Sequence, residues 1–292
     1  MLEIDSSRAP ANLLLGTSSF SSADWRGAFY PEGTKPADFL THYAAQLRTV
    51  EIDATWHAMP ARRTFEEWAR KTPNAFVFAL KVPKTITHEK YLEGCEDEWA
   101  RFLDASDALG AKRGPLIFQF PYVAKGKDAE EYATGRDFVR RLEAFLPLVP
   151  REVAAAVEVR NEKWLTKPLL DCLRAHAVAL VLVDYYTMPA PARLFAPSAP
   201  DPVTAPFCVV RFLGHHRDMD ALVARLRAEK GKTREWDELV VDRSRETRAW
   251  IPAIQRLLER NLKVFAYFNN HYAGFAPGSI DLFLRLWREE IR

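Results

Sequence analysis

Charged side chains stand at the ends of otherwise apolar runs in this sequence. Lys81 lies near the end of FVFALKV, Glu158 and Arg160 close AAAVEVR, and Arg211 lies within FCVVRFLG. Burying an ionised group without a partner is costly, so these charges are more typical of a functional site than of packing. Carboxylates beside cations can exchange protons with a substrate, and Lys and Arg bind phosphate or carboxylate groups. The pattern predicts acid–base chemistry on a small polar or anionic substrate, phosphorylated or sugar-like.

Five residues are candidates for catalytic roles. Glu158 or Asp184 would act as the general acid or base, because neighbouring cations and burial set which carboxylate is ionised. Lys81 and Arg211 would lower the pKa of a nearby carboxylate or bind an anion, and His88 would transfer a proton. We expect hydrolysis, isomerisation or lyase chemistry. A Schiff base on Lys81 is a weaker alternative because its surroundings carry both signs of charge.

Further residues that follow the apolar runs are candidates for holding the substrate. Amides would orient it by hydrogen bonds, guanidinium groups would bind its anionic part, and aromatic rings would stack on a sugar or base. This set consists of Trp25, Tyr30, Asp53, Thr55, Gln119, Arg160, Trp164, Asn269, Asn270 and His271. Five of the seven histidines also follow apolar runs, namely His57, His88, His215, His216 and His271. Clustering on one rim is notable because histidine titrates near neutral pH.

The elements that must position these residues recur along the whole chain. Short runs rich in Val, Ile and Phe predict strands at 13–18, 49–55, 76–82, 115–121, 154–160, 179–185, 207–214 and 264–270. Apolar residues at helical spacing predict helices at 37–48, 64–71, 97–109, 135–146, 168–175, 219–228, 245–261 and 279–288. Strands that alternate with helices predict a parallel sheet. Eight such units favour a (β/α)8 TIM barrel of the α/β class.

The barrel interpretation assigns one domain. We place an N-terminal extension at 1–12 and a single barrel domain at 13–292. An open doubly wound sheet is the rival, but the turn after the first strand, Gly16-Thr17-Ser18-Ser19-Phe20, lacks the GxGxxG phosphate turn. The segment 188–206 holds six prolines and is expected to be a long loop over the barrel mouth.

Side-chain alternation decides which residues face the barrel interior. In the second strand it groups Glu51, Asp53 and Thr55, and in the fifth it groups Glu158 with Arg160. Active sites of this fold lie at the C-terminal ends of the strands, where most of these polar residues fall. Glu51 lies deeper, and we expect it to pair with Lys or Arg as internal scaffolding.

Composition excludes several classes of protein. The 41 Lys and Arg against 39 Asp and Glu give a net charge of +2, too small to argue for a nucleic-acid partner. Cys95, Cys172 and Cys208 form no CxxC motif, so we expect reduced structural thiols. The first residues do not resemble a signal peptide, and no run approaches the roughly 20 apolar residues of a membrane span. A cytoplasmic protein without a membrane partner is expected.

The order of several motifs resembles the YecE-like family, also called domain of unknown function seventy-two. The family's opening is similar to Gly16-Thr17-Ser18, Trp25-Arg26-Gly27 and Phe29-Tyr30-Pro31. Later similar segments are Thr49-Val50-Glu51-Ile52, Phe78-Ala79-Leu80-Lys81, Ile86-Thr87-His88, Gln119-Phe120-Pro121, Val157-Glu158-Val159-Arg160, Val210-Arg211-Phe212 and Phe268-Asn269-Asn270-His271. The resemblance implies a TIM barrel and supplies no settled activity. Departures include Ser19-Phe20 for Gly-Trp and Asp53-Ala54-Thr55-Trp56-His57 for Asn-Ser-Thr-Phe-Tyr, so substrate preference could differ from that of relatives.

Three alternatives stay open. Asp53, Glu158 and Asp184 with His88 or His271 could hold a divalent metal, but three cations in the same mouth oppose it and HExxH is absent, so no cofactor is predicted. A nucleic-acid-binding or -processing protein would use the basic segments 225–234 and 243–248. Interleaved Glu residues favour solvated surface charges there. A barrel without catalysis is disfavoured because unpartnered buried charges are destabilising.

Overall fold

The computed structural model describes residues 1–124, 135–231 and 233–291, without the side chain of Lys230. Lys232 of the basic segment and Arg292, the last residue of the assigned domain, lie outside the described residues. Eight parallel strands form one sheet around a barrel, which confirms the TIM-barrel prediction. They are β1 Leu13–Thr17, β2 Thr49–Ile52, β3 Val77–Lys81, β4 Arg113–Gln119, β5 Ala155–Glu158, β6 Ala179–Asp184, β7 Phe207–Phe212 and β8 Lys263–Phe268.

Helices surround the strands. The longer ones are α1 Phe39–Gln46, α2 Arg62–Arg70, α3 Glu96–Asp107, α4 Gly135–Phe145, α5 Lys167–Ala175, α6 His216–Lys230, α7 Ser244–Glu259 and α8 Ala276–Glu290. Single turns of α-helix span Ala54–His57, Pro191–Leu194 and Asn270–Ala273, and a π-helix spans Thr85–Glu89. Short 3-10 turns span Ser6–Arg8, Ala23–Trp25, Pro36–Asp38, Gly110–Lys112, Leu146–Leu148 and Glu162–Trp164. All eight predicted helices are present, with ends shifted by up to three residues.

A tyrosine hydroxyl joins β1 to β2, where the barrel closes. Tyr43 Oη accepts a hydrogen bond from the Thr17 amide at 2.9 Å and donates one to the Thr49 carbonyl at 3.0 Å. Gly16 lies so close to this seam that an added Cβ would stand 2.3 Å from the Thr49 carbonyl oxygen. The phenol therefore satisfies backbone groups that a regular ladder would otherwise pair.

Alternation along the strands divides the core into two parts. Small and branched side chains fill the barrel interior, including Ala79, Ile117, Ala156, Val181 and Val209. The opposite faces pack against the helices in a larger apolar core. The interior side chains below the C-terminal mouth are thus mostly apolar, and the buried Thr49 and Tyr267 hydroxyls there hydrogen-bond to each other at 2.9 Å.

Three expectations about individual segments need correction. The second strand ends at Ile52, so Thr55 lies in a helical turn instead of on a strand face. The helices do not alternate one by one with the strands. The β6–β7 connection contains only the turn Pro191–Leu194 as α-helix, whereas both α6 and α7 lie between β7 and β8. The proline-rich segment 188–206 does not simply cover the mouth, because its carbonyls and Asp201 bond to arginines of α5 and α7 and to Arg260 just after α7. Parallel strands require a return to the opposite end of the barrel, and this segment makes that return along the helix layer.

The described residues contain no helix both long and apolar enough to cross a bilayer. The three cysteines are buried and unpaired, as expected of structural thiols.

Candidate functional site at the barrel mouth

A buried ion cluster closes the top of the barrel interior. Arg211 extends from β7 and donates from Nε and Nη2 to both carboxylate oxygens of Glu51 on β2, at 2.7 and 2.5 Å. Its Nη1 donates to Glu158 on β5 at 2.6 Å. All three side chains are at most 2% exposed. Glu51 thus has the scaffolding role expected of it, and the guanidinium of Arg211 is covered by protein instead of being open to a ligand.

Asp53 and Lys81 form the more open layer above this cluster. Lys81 Nζ lies 3.5 Å from Asp53 Oδ1, and Arg211 Nη2 lies 3.6 Å from the same oxygen. The side chains of Lys81 and Asp53 are 12% and 30% exposed. Asp53 Oδ1 is itself buried and accepts no hydrogen bond from the described residues. Lys81 Nζ also lies 4.9 Å from the centroid of the Trp56 ring, a cation–π distance.

Arg160 supplies a second cation at the mouth. Its Nε donates to Glu158 Oε1, and its guanidinium carbon lies 4.4 Å from the centroid of the Tyr185 ring. Among the described residues, Glu158 is the carboxylate that pairs with it. Burial, together with the neighbouring Tyr186, raises the pKa of Tyr185 to about 12, so this hydroxyl keeps its proton at neutral pH.

The environments of the carboxyl groups separate their pKa values. Burial, reinforced by Asp53, raises the pKa of Glu51 to about 8 despite the Arg211 guanidinium. Burial acts in the same sense on Glu158, but Arg160 and Arg211 outweigh it and lower the pKa of Glu158 to about 2. Lys81 and Arg211 likewise overcome burial and lower the pKa of Asp53. Three cations, Lys81, Arg160 and Arg211, thus face three carboxyl groups, of which Glu51 holds its proton most readily.

His88 presents a defined tautomer. The Trp56 Nε1–H group, which can only donate, lies 3.4 Å from His88 Nδ1, and the Thr87 hydroxyl lies 2.8 Å from the same nitrogen. Nδ1 is therefore the acceptor, and the proton of the neutral ring is on Nε2. Burial and the cations Lys81 and Arg160 lower the pKa of His88 to about 4, so the ring is neutral at physiological pH.

The backbone that carries His88 is irregular. The residue lies in the π-helix Thr85–Glu89, and Tyr91 and Leu92 just beyond it have φ values of +50° and +70°. π-Helical turns occur often at functional sites, and positive φ at non-glycine residues stores local strain. The irregular segment holds a neutral imidazole beside Lys81 and Arg160.

Two further histidines stack at the ends of β7 and β8. The rings of His216 and His271 are 4.1 Å apart and nearly parallel, and Trp236 lies 4.7 Å from the His271 ring. His271 Nδ1 lies 2.7 Å from Asn269 Oδ1, and its Nε2 lies 3.0 Å from Asp220 Oδ1. Both ring nitrogens of His271 are therefore engaged by protein, which makes it a wall of the mouth more than a free ligand-binding group.

Several candidates from the sequence lie away from this cluster. Asp184 points to the helix layer, where its Oδ2 accepts from Trp250 Nε1 at 3.0 Å, so it does not meet Glu158. Trp164 stacks on Phe138 of α4, with a ring separation of 4.8 Å. Trp25 and Tyr30 are buried with Phe29 in an aromatic core cluster and cannot serve as an open stacking platform.

Other candidates support the site without facing a ligand. The Thr55 hydroxyl donates to the carbonyls of Ile52 and Lys81, which ties the end of β2 to the end of β3. Gln119 pairs with Glu158 in the β4–β5 register and donates to the Phe120 carbonyl at 2.6 Å. Asn270 Oδ1 accepts from the Ala276 amide and fixes the start of α8.

Sequence reasoning missed Trp56 and Tyr185 as partners of the two mouth cations. The signal for Tyr185 was available, because Val181 and Val183 face the interior and alternation places Tyr185 with them. Trp56 carried no comparable signal, since it lies in a helical turn whose direction the strand pattern does not fix. Among the described residues, no three His, Cys, Asp or Glu side chains converge as metal ligands would.

Parallel strands, surrounding helices and polar groups at the C-terminal mouth define a TIM-barrel protein. Within that class the chain belongs to the family described as "Protein of unknown function DUF72", whose model matches residues 14–292. The family resemblance seen in the sequence is thereby confirmed.

Two curated relatives match different lengths of the chain. It is 24% identical over 286 residues to the UPF0759 protein YunF of Bacillus subtilis (strain 168), covering 88% of this chain and 95% of YunF. It is 28% identical over 128 residues to the UPF0759 protein YecE of Escherichia coli (strain K12), and this match spans 44% of the chain and 43% of YecE.

Solved structures support the fold. A DUF72 family protein from Thermotoga maritima MSB8 superposes with a TM-score of 0.69 at 24% identity, covering 96% of this chain and 99% of that one. A DUF72 family protein from Enterococcus faecalis V583 gives 0.66 at 21% identity, covering 94% and 95%. At these identities the likeness establishes the barrel and leaves the activity open.

Proposed function

We propose that the chain is an enzyme that binds a small anionic substrate at the barrel mouth and transfers a proton on it. The observation that carries this proposal is the contact of Lys81 and the neutral His88 with the same Trp56 ring, beside an ion cluster whose other cation at the mouth is Arg160. Two cations at the mouth favour a phosphate or carboxylate group over a neutral ligand.

Lys81 is the best placed group to bind the anion. Its ammonium makes an ion pair at 3.5 Å and a cation–π contact, and no hydrogen bond from Nζ to another described residue is present. Its donors therefore remain for a ligand. Arg160 offers the remainder of its guanidinium fork at the mouth, since it is Nε that is bound to Glu158.

The proton chemistry follows from the protonation states. His88 Nε2–H can donate to a carbonyl or developing oxyanion, because Nδ1 is already engaged by Trp56 and Thr87. Asp53 is ionised, and because its Oδ1 is buried while the side chain is 30% exposed, Oδ2 is the oxygen that can accept a proton from the substrate. This pairing supports proton abstraction beside a carbonyl, the chemistry of isomerases and lyases. Glu158 is the poorer general base because its side chain is fully buried.

Binding can be tested with sulfate, an anion that does not titrate near neutral pH. We expect sulfate to raise the melting temperature, and Lys81→Met or Arg160→Met to weaken its apparent affinity by about tenfold, as loss of one charge-assisted contact would. Lys167→Met is the matched control, because that lysine is 77% exposed and pairs with Asp171 on α5. Equal sulfate affinity in all four proteins would refute an anion site at the mouth.

Proton transfer can be tested separately. We expect incubation with a panel of triose, pentose and hexose phosphates in D2O to give deuterium incorporation detectable by NMR, and Asp53→Asn to abolish it. Exchange that persists in Asp53→Asn would remove Asp53 from the mechanism. Absence of exchange with every phosphate, despite sulfate binding, would argue against carbonyl proton abstraction on this substrate class.

The nucleic-acid alternative gains no support from the basic segments. Arg225, Arg227 and Arg234 pair with Glu229, Glu235 and Glu32. Arg248 pairs with Glu289 and Glu290. Pairing of these four arginines leaves less of their charge for phosphate neutralisation.

A further inference from the structure

A cavity of about 600 Å³ lies beside the ends of β6 and β7, on the helix side of the strands. Its walls include Tyr186, Met188 and Trp250, and Asp184 lies among them. This is the space into which the last side chain of β6 points, since the preceding Val183 faces the barrel interior. The cavity also reaches Val183 and Tyr185, but Lys81, Asp53 and Glu158 are not among the residues that line it.

Asp184 has one oxygen engaged and one available. Oδ2 accepts hydrogen bonds from Trp250 Nε1 at 3.0 Å and from the Tyr272 hydroxyl at 3.4 Å. Oδ1 accepts none from the described residues. This oxygen is not enclosed by protein, so it can accept a hydrogen bond from a ligand that enters the cavity.

An aromatic face adjoins this carboxylate. The Tyr186 side chain is 63% exposed, yet its ring is held by contacts at 4.4 Å to both Tyr185 and His215. A ring fixed in this way can receive an apolar body or a cation at low entropic cost.

Charged groups of both signs line the cavity. They are the carboxyl groups of Asp184, Asp218 and Glu246 and the guanidiniums of Arg243 and Arg245, and His215 Nδ1 lies 3.0 Å from Asp218 Oδ2. Arg243 is already engaged, because its Nε donates to a backbone carbonyl at 2.9 Å and its Nη1 lies 3.6 Å from Glu246. The guanidinium of Arg243 is therefore less available than Asp184 Oδ1.

From this arrangement we infer a second ligand site, which binds a small organic cation such as an aryl- or alkylamine. The ammonium donates to Asp184 Oδ1, and the apolar body packs on Tyr186 and Met188. The preference is opposite in sign to that of the mouth, so the site does not rest on the proposed enzymatic function.

Benzylamine and benzyl alcohol are matched probes, because they share the ring and differ in charge. By calorimetry at neutral pH we expect benzylamine to bind about tenfold more tightly than benzyl alcohol. Asp184→Asn keeps an acceptor for Trp250 and should reduce this ratio to about one. Tyr186→Ala removes an exposed ring, so its fold is safe, and should weaken both probes together.

Lys81→Met serves as the control for location. Benzylamine affinity unchanged in Lys81→Met supports a site apart from the mouth, and a change in either direction would overturn it, since removing this cation would strengthen amine binding at the mouth. The inference also fails if benzylamine does not bind or binds no better than benzyl alcohol. An unchanged ratio in folded Asp184→Asn refutes it, and if that variant does not fold, unchanged affinities in Tyr186→Ala refute it.

Discussion

Replacement of Arg211 by Met removes the cation that joins β2, β5 and β7 inside the barrel. Arg211 donates three hydrogen bonds of 2.5–2.7 Å to Glu51 and Glu158. At roughly 1.5–3 kcal/mol for each bond to a charged group, their sum sets an upper limit of about 5–9 kcal/mol. Two effects reduce the cost, since Glu158 keeps Arg160 and Glu51 can hold a proton. We therefore expect Arg211→Met to lower the free energy of unfolding by about 3–5 kcal/mol, the usual effect of breaking one side of a buried ion pair.

Urea denaturation at pH 7 measures this loss, and the chain offers a matched surface control. Arg260 makes a two-bond pair with Asp201 at 3.0 Å for each bond, but both side chains are nearly half exposed. Arg260→Met should cost about 1 kcal/mol or less, because solvent screens exposed pairs. Adding Glu51→Gln to Arg211→Met should recover part of the loss by removing one uncompensated carboxyl group. Equal costs for Arg211→Met and Arg260→Met would refute the view that the buried cluster stabilises the barrel.

Three further predictions concern Glu158, Glu51 and Tyr43. At pH values above its unfolded pKa of about 4.5, Glu158 should contribute about 3 kcal/mol to the free energy of unfolding. This contribution is lost as the pH falls from about 5 to 2, because the folded pKa is about 2. Denaturation curves across that range should show a shallower pH slope for Glu158→Gln, and an identical slope would contradict the assignment. Sulfate affinity should fall as pH rises through about 8, where Glu51 loses its proton and adds a negative charge to the cluster below Lys81. Glu51→Gln should remove that step in sulfate titrations, and a step that persists would assign it to another group. Tyr43→Phe should lower the free energy of unfolding by about 1–3 kcal/mol, because it leaves the Thr17 amide and the Thr49 carbonyl without their shared partner. Thermal denaturation measures this loss, and an unchanged stability would show that the hydroxyl does not hold β1 and β2 together.

The fold was largely predictable because its signals are local and repeated. Each strand is a short apolar run and each long helix has an apolar stripe, so all eight strands fall where the pattern places them. Errors occur at element ends. Ile52 ends β2 because the Thr55 hydroxyl bonds to the Ile52 and Lys81 carbonyls as part of a helical turn, an arrangement that depends on β3.

The site was predictable as a set of charges and not as a set of roles. Alternation placed Glu51, Lys81, Glu158 and Arg211 inside the barrel, and the structure brings them together there. Asp184 follows the interior residue Val183, so the same rule applied to β6 would have turned it toward the helices. The aromatic candidates Trp25 and Tyr30 could not be separated from core residues by type alone, since the same rings serve both purposes.

The sequence by itself determined that this chain forms a barrel with charged groups at the C-terminal ends of its strands. Strand alternation and helix periodicity are patterns among neighbouring residues, so they can be recognised without the structure. Only the tertiary structure decided which charges are covered and which remain open. Arg211 is buried because Glu51 and Glu158 reach it from strands 160 and 53 residues away, while Lys81 keeps free donors above them. Burial and charge pairing arise between distant segments, and these in turn set which groups hold protons and which can meet a ligand.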